Sequence, residues 1–460
     1  MLSSLNRRHS LRVMGAISAW TALASAQTTA LATSSHADRK ADPLAPQTVA
    51  MAWRAGAAPA EDSDPKAHRI GLLQVDWDQR RSTWSRVQPV PNRAHGLTPD
   101  GRGGLYAVAA RPGDWLVHLP ADAAQAPRWL HPGRDEASTR TLNGHLLLSS
   151  DGRWLYSSET GRDDGSAWVV RRDAQTLRAV AAWQLPGVDA HQMLFDADER
   201  HVLVALGGIP RDERGRRVPH KRLAPALLRL DTDSGTVQQR WALEDPRLSV
   251  RHMAWSVDGD QRLLGIALQA QHDERQERRN APMIAVWDGS TLTLPPCPAI
   301  DHQGYAGDIC AGPGGSFLLS AQRSGNALLW HPDAPDGLIP LGELKEVCAL
   351  GSWRDARGMG MLMGAGRGLA RWQAGEAQML PWPELLAPDN HLALLLCLGW
   401  CADCPQAPGA RAALRVAASG RWPARCEPYA FKYRANVLRN FSTFGPTTNA
   451  QYPALGLFAK

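Results

Sequence analysis

The sequence lacks a long hydrophobic run. None of its 460 residues lies in an apolar stretch of about 18 residues or more, which is the length a membrane-spanning helix needs. The apolar stretch near the N terminus is too short and wrongly flanked for such a helix. We therefore expect a globular protein without a transmembrane span.

Signatures of several catalytic classes are also missing. The chain contains no nucleophile elbow, no glycine-rich nucleotide loop and no Cys-x-x-Cys-His haem attachment. No segment between residues 45 and 398 reads as a capped helix of convincing length, which disfavours a parallel α/β fold. The sequence therefore offers no residue that we assign as catalytic.

The charge balance gives no indication of nucleic-acid binding. The chain has 51 basic and 45 acidic residues, a formal net charge of +6. Arg7, Arg8 and Arg12 lie in a segment that we expect to be removed, and the remaining charges alternate in sign. Phosphate binding requires a concentrated basic face, so a nucleic-acid partner is not expected.

Residues 1–26 resemble a twin-arginine export signal. Arg7 and Arg8 precede a weakly apolar stretch over residues 13–26, which ends in Ala-Ser-Ala. We predict a signal peptide over residues 1–26, a linker over 27–44 and a folded protein that reaches the periplasm.

Turn signals followed by short apolar strands recur along the chain. Six such turns begin at residues 100, 151, 196, 258, 312 and 355. Between them lie further alternating runs at 167–171, 226–231 and 283–287. A period of about 40 to 50 residues built from short strands is typical of a β-propeller.

Six repeats leave the two ends of the region unpaired. Candidate strands at residues 48–53, 69–77 and 83–90 lack an inner partner, and the apolar strand 390–396 lacks outer ones. Pairing these ends would close a ring and remove a free sheet edge. We predict an all-β fold, a seven-bladed β-propeller over residues 45–398, closed by N-terminal strands pairing with a C-terminal inner strand.

Histidines recur at one position of the repeat. One precedes each of the first four turns by five or six residues, and another opens the closing strand; they are His95, His145, His191, His252 and His391. The innermost strand of each blade lines the central channel, so these imidazoles could converge on iron or another transition metal. Alternatively, each could simply hydrogen-bond the backbone of a neighbouring blade. We expect the other histidines of the repeat region to lie at the surface.

Three further residues are candidate ligand contacts. Arg111 and Glu159 follow inner strands of their blades, and Tyr305 occupies the histidine position in the fifth blade. We expect them to line the same channel mouth, although charged residues at strand ends are often simply solvated.

The seven cysteines cluster toward the C terminus. Cys397, Cys401, Cys404 and Cys426 have spacing that suggests a metal cluster, but an oxidising periplasm favours disulfides. We expect a disulfide within the last three of these four. Residues 399–460 show no repeat, and we predict a loosely packed or disordered appendage.

Several segments together resemble the domain-of-unknown-function 1513 family. They include Asn143-Gly144-His145, Gly207-Gly208-Ile209, residues 249–253, Gly304-Tyr305-Ala306-Gly307 and Asp389-Asn390-His391. The resemblance implies an exported propeller of the YncE-like or quinoprotein-amine-dehydrogenase-like kind, with periplasmic imelysin-type iron-uptake proteins as partners. The chain departs from the family pattern at Gln192 and Leu206, where Glu and Asn are usual.

Three functions remain compatible with these observations. The first, which we favour, is a monomeric accessory protein that holds a metal ion or a metal-containing ligand during iron acquisition. The second is a propeller enzyme, either a lactonase-like hydrolase or a dehydrogenase subunit. The third is a protein-interaction platform whose histidines are structural.

Overall fold

The structure is a computed structural model that describes residues 46–56, 67–218, 222–297 and 302–395. The predicted signal peptide, linker and C-terminal appendage lie outside these residues. So does the predicted disulfide, because Cys401, Cys404 and Cys426 all fall beyond residue 395.

The chain forms seven four-stranded antiparallel sheets, each built from strands that are neighbours in sequence or at the two ends of the fold. The strands are, in order, β1 (Gln47–Ala55), β2 (His68–Asp76), β3 (Arg81–Pro89), β4 (Ala94–Pro99), β5 (Leu105–Ala109), β6 (Leu116–Leu119), β7 (Arg128–Leu130), β8 (Arg140–Leu148), β9 (Trp154–Gly161), β10 (Ser166–Asp173), β11 (Ala179–Val188), β12 (Ala190–Phe195), β13 (His201–Leu206) and β14 (Ala226–Asp231). They continue with β15 (Val237–Trp241), β16 (Leu248–Asp258), β17 (Gln261–Ala270), β18 (Ile284–Trp287), β19 (Leu292–Thr293), β20 (Ile309–Ala311), β21 (Phe317–Ala321), β22 (Asn326–His331), β23 (Ala334–Glu343), β24 (Ala349–Asp355), β25 (Gly358–Ala365), β26 (Gly368–Gln373), β27 (Glu376–Pro381) and β28 (Leu386–Leu395).

These sheets are the seven blades of a β-propeller. Blades 1 to 6 begin at β4, β8, β12, β16, β20 and β24 and take four consecutive strands each. Blade 7 has the order β28-β1-β2-β3, so the last strand of the fold pairs with the first. Ala50 of β1 lies opposite Ala393 of β28 in this antiparallel pair. The predicted fold class and its ring closure are confirmed.

The hydrophobic core lies between adjacent blades. Ile70 and Leu72 of blade 7, for example, pack with Leu105 and Trp115 of blade 1, and all four are almost fully buried. Middle strands such as β5 are buried along their whole length, because blades cover both of their faces. The outer strand β3 alternates between exposed and half-buried residues. This gradient explains why the middle strands read as continuous apolar runs in the sequence.

Helices are minor elements of the fold. The described residues contain α1 (Pro132–Asp135), α2 (Arg275–Asn280) and a short 3-10 turn at Pro313–Gly315. Among the described residues, no helix has both the length and the apolar character needed to cross a membrane.

A histidine cluster as candidate functional site

Each of the five candidate histidines lies in a β-bulge of an innermost strand. In β4, β12 and β16, two residues including the histidine face a single residue of the next strand. In β8 and β28 three residues, which end at His145 and His391, face one. A bulge bends its strand and redirects a side chain. The inner strands of blades 5 and 6, whose histidine position is substituted, pair without a bulge.

One glycine lets two of these bulges approach closely. Gly144 has a φ of +94°, and a Cβ atom there would lie 2.9 Å from Cδ2 of His95. Any larger residue would therefore combine a left-handed backbone with a clash against the neighbouring imidazole. The family motif Asn143-Gly144-His145 thus has a steric basis.

The five imidazoles converge in one cluster, which we call the histidine cluster: His95, His145, His191, His252 and His391. Nine pairs of ring centroids are separated by 4.3 to 6.1 Å. One ring nitrogen from each of the first four lies within 4.8 Å of the others. His145, His191 and His252 are buried, whereas the side chains of His95 and His391 remain 12% and 11% exposed. The cluster is therefore reachable from solvent on one side.

Burial keeps four of these imidazoles neutral, namely those of His95, His145, His191 and His252. It lowers the pKa of His95 to about 3, although a hydrogen bond to Asp389 opposes the shift. Burial also lowers the pKa values of His145, His191 and His252 well below the ordinary value, and the neighbouring histidines lower them further. Neutral imidazole is the protonation state that binds transition metals.

Two carboxylates orient two of the rings. The Nδ1 atom of His95 is 3.2 Å from Asp389 Oδ1, and the Nδ1 atom of His391 is 3.3 Å from Asp308 Oδ2. Metal-binding histidines commonly donate their second N–H to a carboxylate in this way, which leaves the other nitrogen free as a ligand. This arrangement directs the Nε2 lone pairs of His95 and His391 away from the carboxylates.

Arg111 sets the protonation of a third ring. Its Nη1 lies 3.2 Å from Nδ1 of His191, and arginine can only donate. The proton of neutral His191 must then be on Nε2, which lies 3.0 Å from Nε2 of His252. We therefore assign His191 as a hydrogen-bond donor to His252.

Several buried ring nitrogens of the cluster have no hydrogen-bond partner within the described part of the chain. They are Nε2 of His145, Nε2 of His391 and Nδ1 of His252. An unpaired buried polar atom costs about 1–3 kcal/mol, and the described residues contain no group that relieves this cost here. Nε2 of His145 and Nε2 of His391 are available to a bound species, whereas Nδ1 of His252 carries the proton when its Nε2 accepts from His191.

The three other candidate ligand contacts have different surroundings. Arg111 reaches the histidine cluster as described above. The carboxylate of Glu159 is fully buried inside blade 2, where Arg172 Nη2 lies 2.6 Å and Arg140 Nε 3.1 Å away. Tyr305 is half-buried, and the guanidinium of Arg323 lies over its ring at 4.2 Å. Of these three residues, only Arg111 has a described contact with a histidine of the cluster.

Blades 5 and 6 replace histidine with other groups. Asp308, directly before β20, contacts His391, and its carboxylate also accepts the N–H of Leu350. Cys348, directly before β24, is buried, and its Sγ lies 3.3 Å from the carbonyl oxygen of Asp389. Burial raises the pKa of this thiol, with the Asp389 carboxylate adding to the effect, so Cys348 is held as a neutral thiol.

The expectation that all other histidines of the repeat lie at the surface is wrong for three of them, His118, His272 and His302, which are buried. His118 and His272 are buried, and each has Nε2 within 2.9 Å of a carboxylate oxygen, of Asp100 and Asp245 respectively. Pairing with aspartate offsets the cost of burying these polar rings.

Sequence reasoning missed the acidic and basic residues that surround the cluster. Asp189 and Asp389 each stand two residues before a cluster histidine, and Arg251 and Arg93 stand one and two residues before others. The repeated Asp-x-His spacing is the signal that could have revealed the two aspartates. Asp308 carries no such signal, because its blade has no histidine to mark the position.

Most of the chain matches a family of proteins of unknown function. A family profile described as "Protein of unknown function (DUF1513)" matches residues 88–395. No curated protein matches the chain.

Solved structures that resemble the chain do so at low sequence identity. Virginiamycin B lyase from Staphylococcus aureus is 11% identical, with 63% of this chain and 84% of that chain covered and a TM-score of 0.45. Hydrazine synthase from Kuenenia stuttgartiensis is 14% identical, with coverage of 60% and 81% and a TM-score of 0.44. A functionally unknown protein from Desulfotomaculum acetoxidans is 9% identical, with coverage of 76% and 98% and a TM-score of 0.48.

Proposed function

The chain belongs to the DUF1513 family of proteins of unknown function, and from this premise we propose that it is a non-enzymatic metal-binding propeller. Its ligands are imidazoles of the histidine cluster. The observation that carries the proposal is the convergence of neutral, buried rings whose nitrogens lack partners among the described residues.

The hydrogen bonds divide the five histidines into two roles. His95 and His391 keep Nε2 available because their Nδ1 atoms face carboxylates, and His145 has an unpartnered Nε2. We assign His95 and His145 as the principal ligands, because their ring nitrogens belong to one group within 4.8 Å, whereas the nitrogen of His391 is grouped with His252 and Asp308. His252 shares its Nε2 with the N–H of His191, so it is a further ligand only when that hydrogen bond breaks. His191 is a positioning residue.

The donor set restricts the metal. Three or more imidazoles with nearby carboxylates suit iron, copper, zinc or nickel, whereas calcium and magnesium prefer all-oxygen sites. The family resemblance supports iron as the bound metal. It also supports a periplasmic location and a place beside imelysin-type iron-uptake proteins. The twin-arginine-like N terminus adds independent support for export.

A hydrolase is the second candidate, because the His95–Asp389 pair has the geometry of an oriented general base. A catalytic base works best when its pKa is near the operating pH. Burial instead lowers the pKa of His95 to about 3, which makes it a weak base. The chemistry of the cluster therefore favours binding over catalysis.

Elemental analysis of the purified protein tests the proposal. We expect near-stoichiometric iron, copper, zinc or nickel in the wild type, or uptake of one ion per chain after addition. His95→Gln and His145→Gln should each remove most of the bound metal, and His191→Gln should remove less. His118→Gln is the matched control, because it alters a buried histidine–aspartate pair outside the cluster. A wild-type protein that is metal-free and takes up no added ion would overturn the proposal.

A further inference from the structure

Three guanidinium groups surround a single carboxylate next to the histidine cluster. Arg111 Nη1 lies 2.8 Å from Asp189 Oδ1, and Arg251 Nη1 lies 2.9 Å from Asp189 Oδ2. Arg211 Nε is farther away, 3.7 Å from the same Oδ2. The local charge is therefore three positive groups against one negative group.

The imbalance leaves two of the arginines short of anionic partners. Burial lowers the pKa of Arg251 to about 10 and that of Arg211 to about 9, with Asp189 opposing both shifts. The same three cations lower the pKa of Asp189 to about 2, although burial acts to raise it. One carboxylate is shared among three cations and cannot neutralise them all.

Arg251 is the most exceptional of the three. Its side chain is only 1% exposed, and its Nη1 is paired with the carboxylate of Asp189 at 2.9 Å. Its Nε and Nη2 lack a hydrogen-bond acceptor within the described ranges of the chain. A buried guanidinium with unused donors presents the planar fork that carboxylates and phosphates bind.

The other two arginines of the group are partly exposed to solvent. The side chains of Arg111 and Arg211 are 23% and 22% exposed, so the group reaches solvent. On the opposite side, Gly207 packs against the pair: a Cβ atom there would lie 2.5 Å from Asp189 Oδ2 and 2.7 Å from Arg251 Nη1. The absence of a side chain at residue 207 allows the carboxylate and the guanidinium to meet.

From this geometry we infer that Arg111, Arg211 and Arg251 form a binding site for a small oxyanion of the carboxylate or phosphate class. The anion supplies the acceptors that Arg251 lacks, and it balances the excess positive charge. Asp189 holds the three side chains together and limits the affinity, because it competes for the same donors.

The site adjoins the histidine cluster without depending on it. Arg111 contacts His191, and Arg251 precedes His252 in β16. An anion held here would lie beside a metal ion bound by the histidines. The anion site nevertheless rests on the arginines alone, so it goes beyond the proposed metal binding.

Isothermal titration of metal-free protein tests the inference. Inorganic phosphate and citrate are titrated separately, with sodium chloride at matched ionic strength as the reference. We expect saturable binding of at least one anion, and the tighter of the two identifies whether the phosphate or the carboxylate class is preferred. Removing all metal beforehand keeps chelation by citrate out of the signal.

Two substitutions should shift the affinity in opposite directions. Arg211→Gln removes a charged donor and should weaken binding about tenfold or more. Asp189→Asn removes the competing carboxylate and should strengthen binding severalfold. Arg216→Gln is the matched control in the same loop, since Arg216 is exposed and pairs with Asp212, and it should leave the affinity unchanged.

The outcomes separate this site from the metal site. Saturable binding with opposite shifts for Arg211→Gln and Asp189→Asn supports the inference even if no metal binds. Neither anion giving more heat than chloride would overturn it, as would an equal loss of binding in the Arg216→Gln control. Circular dichroism and the melting temperature of each variant exclude misfolding as the cause.

Discussion

The Nδ1 atom of His95 lies 3.2 Å from Oδ1 of Asp389, although 293 residues separate them in sequence. His95 belongs to the first complete blade, and Asp389 to the strand that closes the ring. Arg93 binds the same carboxylate, and together these contacts hold the pKa of Asp389 well below its usual range, against the effect of burial. The junction between the two ends of the propeller is therefore also one wall of the histidine cluster.

The first prediction concerns the packing of Gly144 against His95. Gly144→Ala should destabilise the fold by about 1–3 kcal/mol, because alanine must adopt a left-handed backbone and meet the imidazole. It should also weaken metal binding by displacing His95. Chemical denaturation and metal titration measure the two effects.

Gly152→Ala is the matched control for this substitution. Gly152 has a φ of +69°, but nothing lies within 4 Å of its added Cβ atom. It should therefore show the backbone cost alone and keep full metal affinity. Equal metal affinities for Gly144→Ala and Gly152→Ala would contradict the assigned contact.

The second prediction concerns pH. Four histidines of the cluster, His95, His145, His191 and His252, have lowered pKa values when folded, so the unfolded chain takes up protons first as the pH falls. The metal-free protein should keep its stability above about pH 6.5 and lose it below, by up to about 1.4 kcal/mol per pH unit for each such histidine. Urea denaturation from pH 7.5 to 4.5 measures the slope.

A substitution within the cluster checks the origin of that slope. In the metal-free protein, His145→Gln removes one titrating group, so stability should fall less steeply between pH 6.5 and 4.5. His118→Gln lies outside the cluster and tests whether any buried histidine gives the same change. A wild-type stability that stays flat across this range would show that the rings are protonated in the folded state.

The third prediction tests whether Glu159 stabilises the fold through its buried ion pairs or contacts a bound ligand. Glu159→Gln leaves the fully buried Arg172 with one anionic partner fewer, and it should destabilise the fold by about 3 kcal/mol or more. Metal content should stay at the wild-type level, because this carboxylate is bound by arginines of its own blade. Arg134→Gln breaks an exposed ion pair and should cost less than about 1 kcal/mol. If a folded Glu159→Gln protein lost its metal, Glu159 would have to be assigned as a ligand contact.

The fourth prediction concerns export. A reporter that requires transport in the folded state, fused after residue 26, should reach the periplasm of a bacterium with a twin-arginine system. Arg7→Lys combined with Arg8→Lys should abolish transport, and Arg12→Lys should leave most of it intact, since the adjacent pair carries the signal. Export that survives the double substitution would exclude this route.

Much of the fold was predictable because a propeller repeats one unit. The regular turns revealed the blades, and the unpaired strands at the two ends implied the closure between β1 and β28. Strand limits were less accurate: the closing strand was expected at residues 390–396, whereas β28 begins at Leu386. The bulge before His391 interrupts the alternation of side chains, which hid the first residues of the strand.

The candidate site was predictable in its histidines but not in their surroundings. Periodicity brought His95, His145 and His252 to equivalent positions, because equivalent positions of a propeller meet at the axis. The contact between Arg251 and Asp189 joins different blades and depends on the missing side chain of Gly207. A contact between residues of different blades leaves no local pattern in the sequence. The burial of Glu159 in an ion pair could not be predicted from the sequence either, because its partner Arg172 lies on another strand.

The closure of the ring also sets an order of events during biosynthesis. The ribosome releases His95, His145, His191 and His252 well before Asp389 and His391, which arrive with β28. Until that strand docks beside β1, His95 lacks its orienting carboxylate and the cluster lacks a wall. A metal site that uses His95 in this orientation is therefore complete only after β28 has docked beside β1, so loading of the metal would report that the ring has closed.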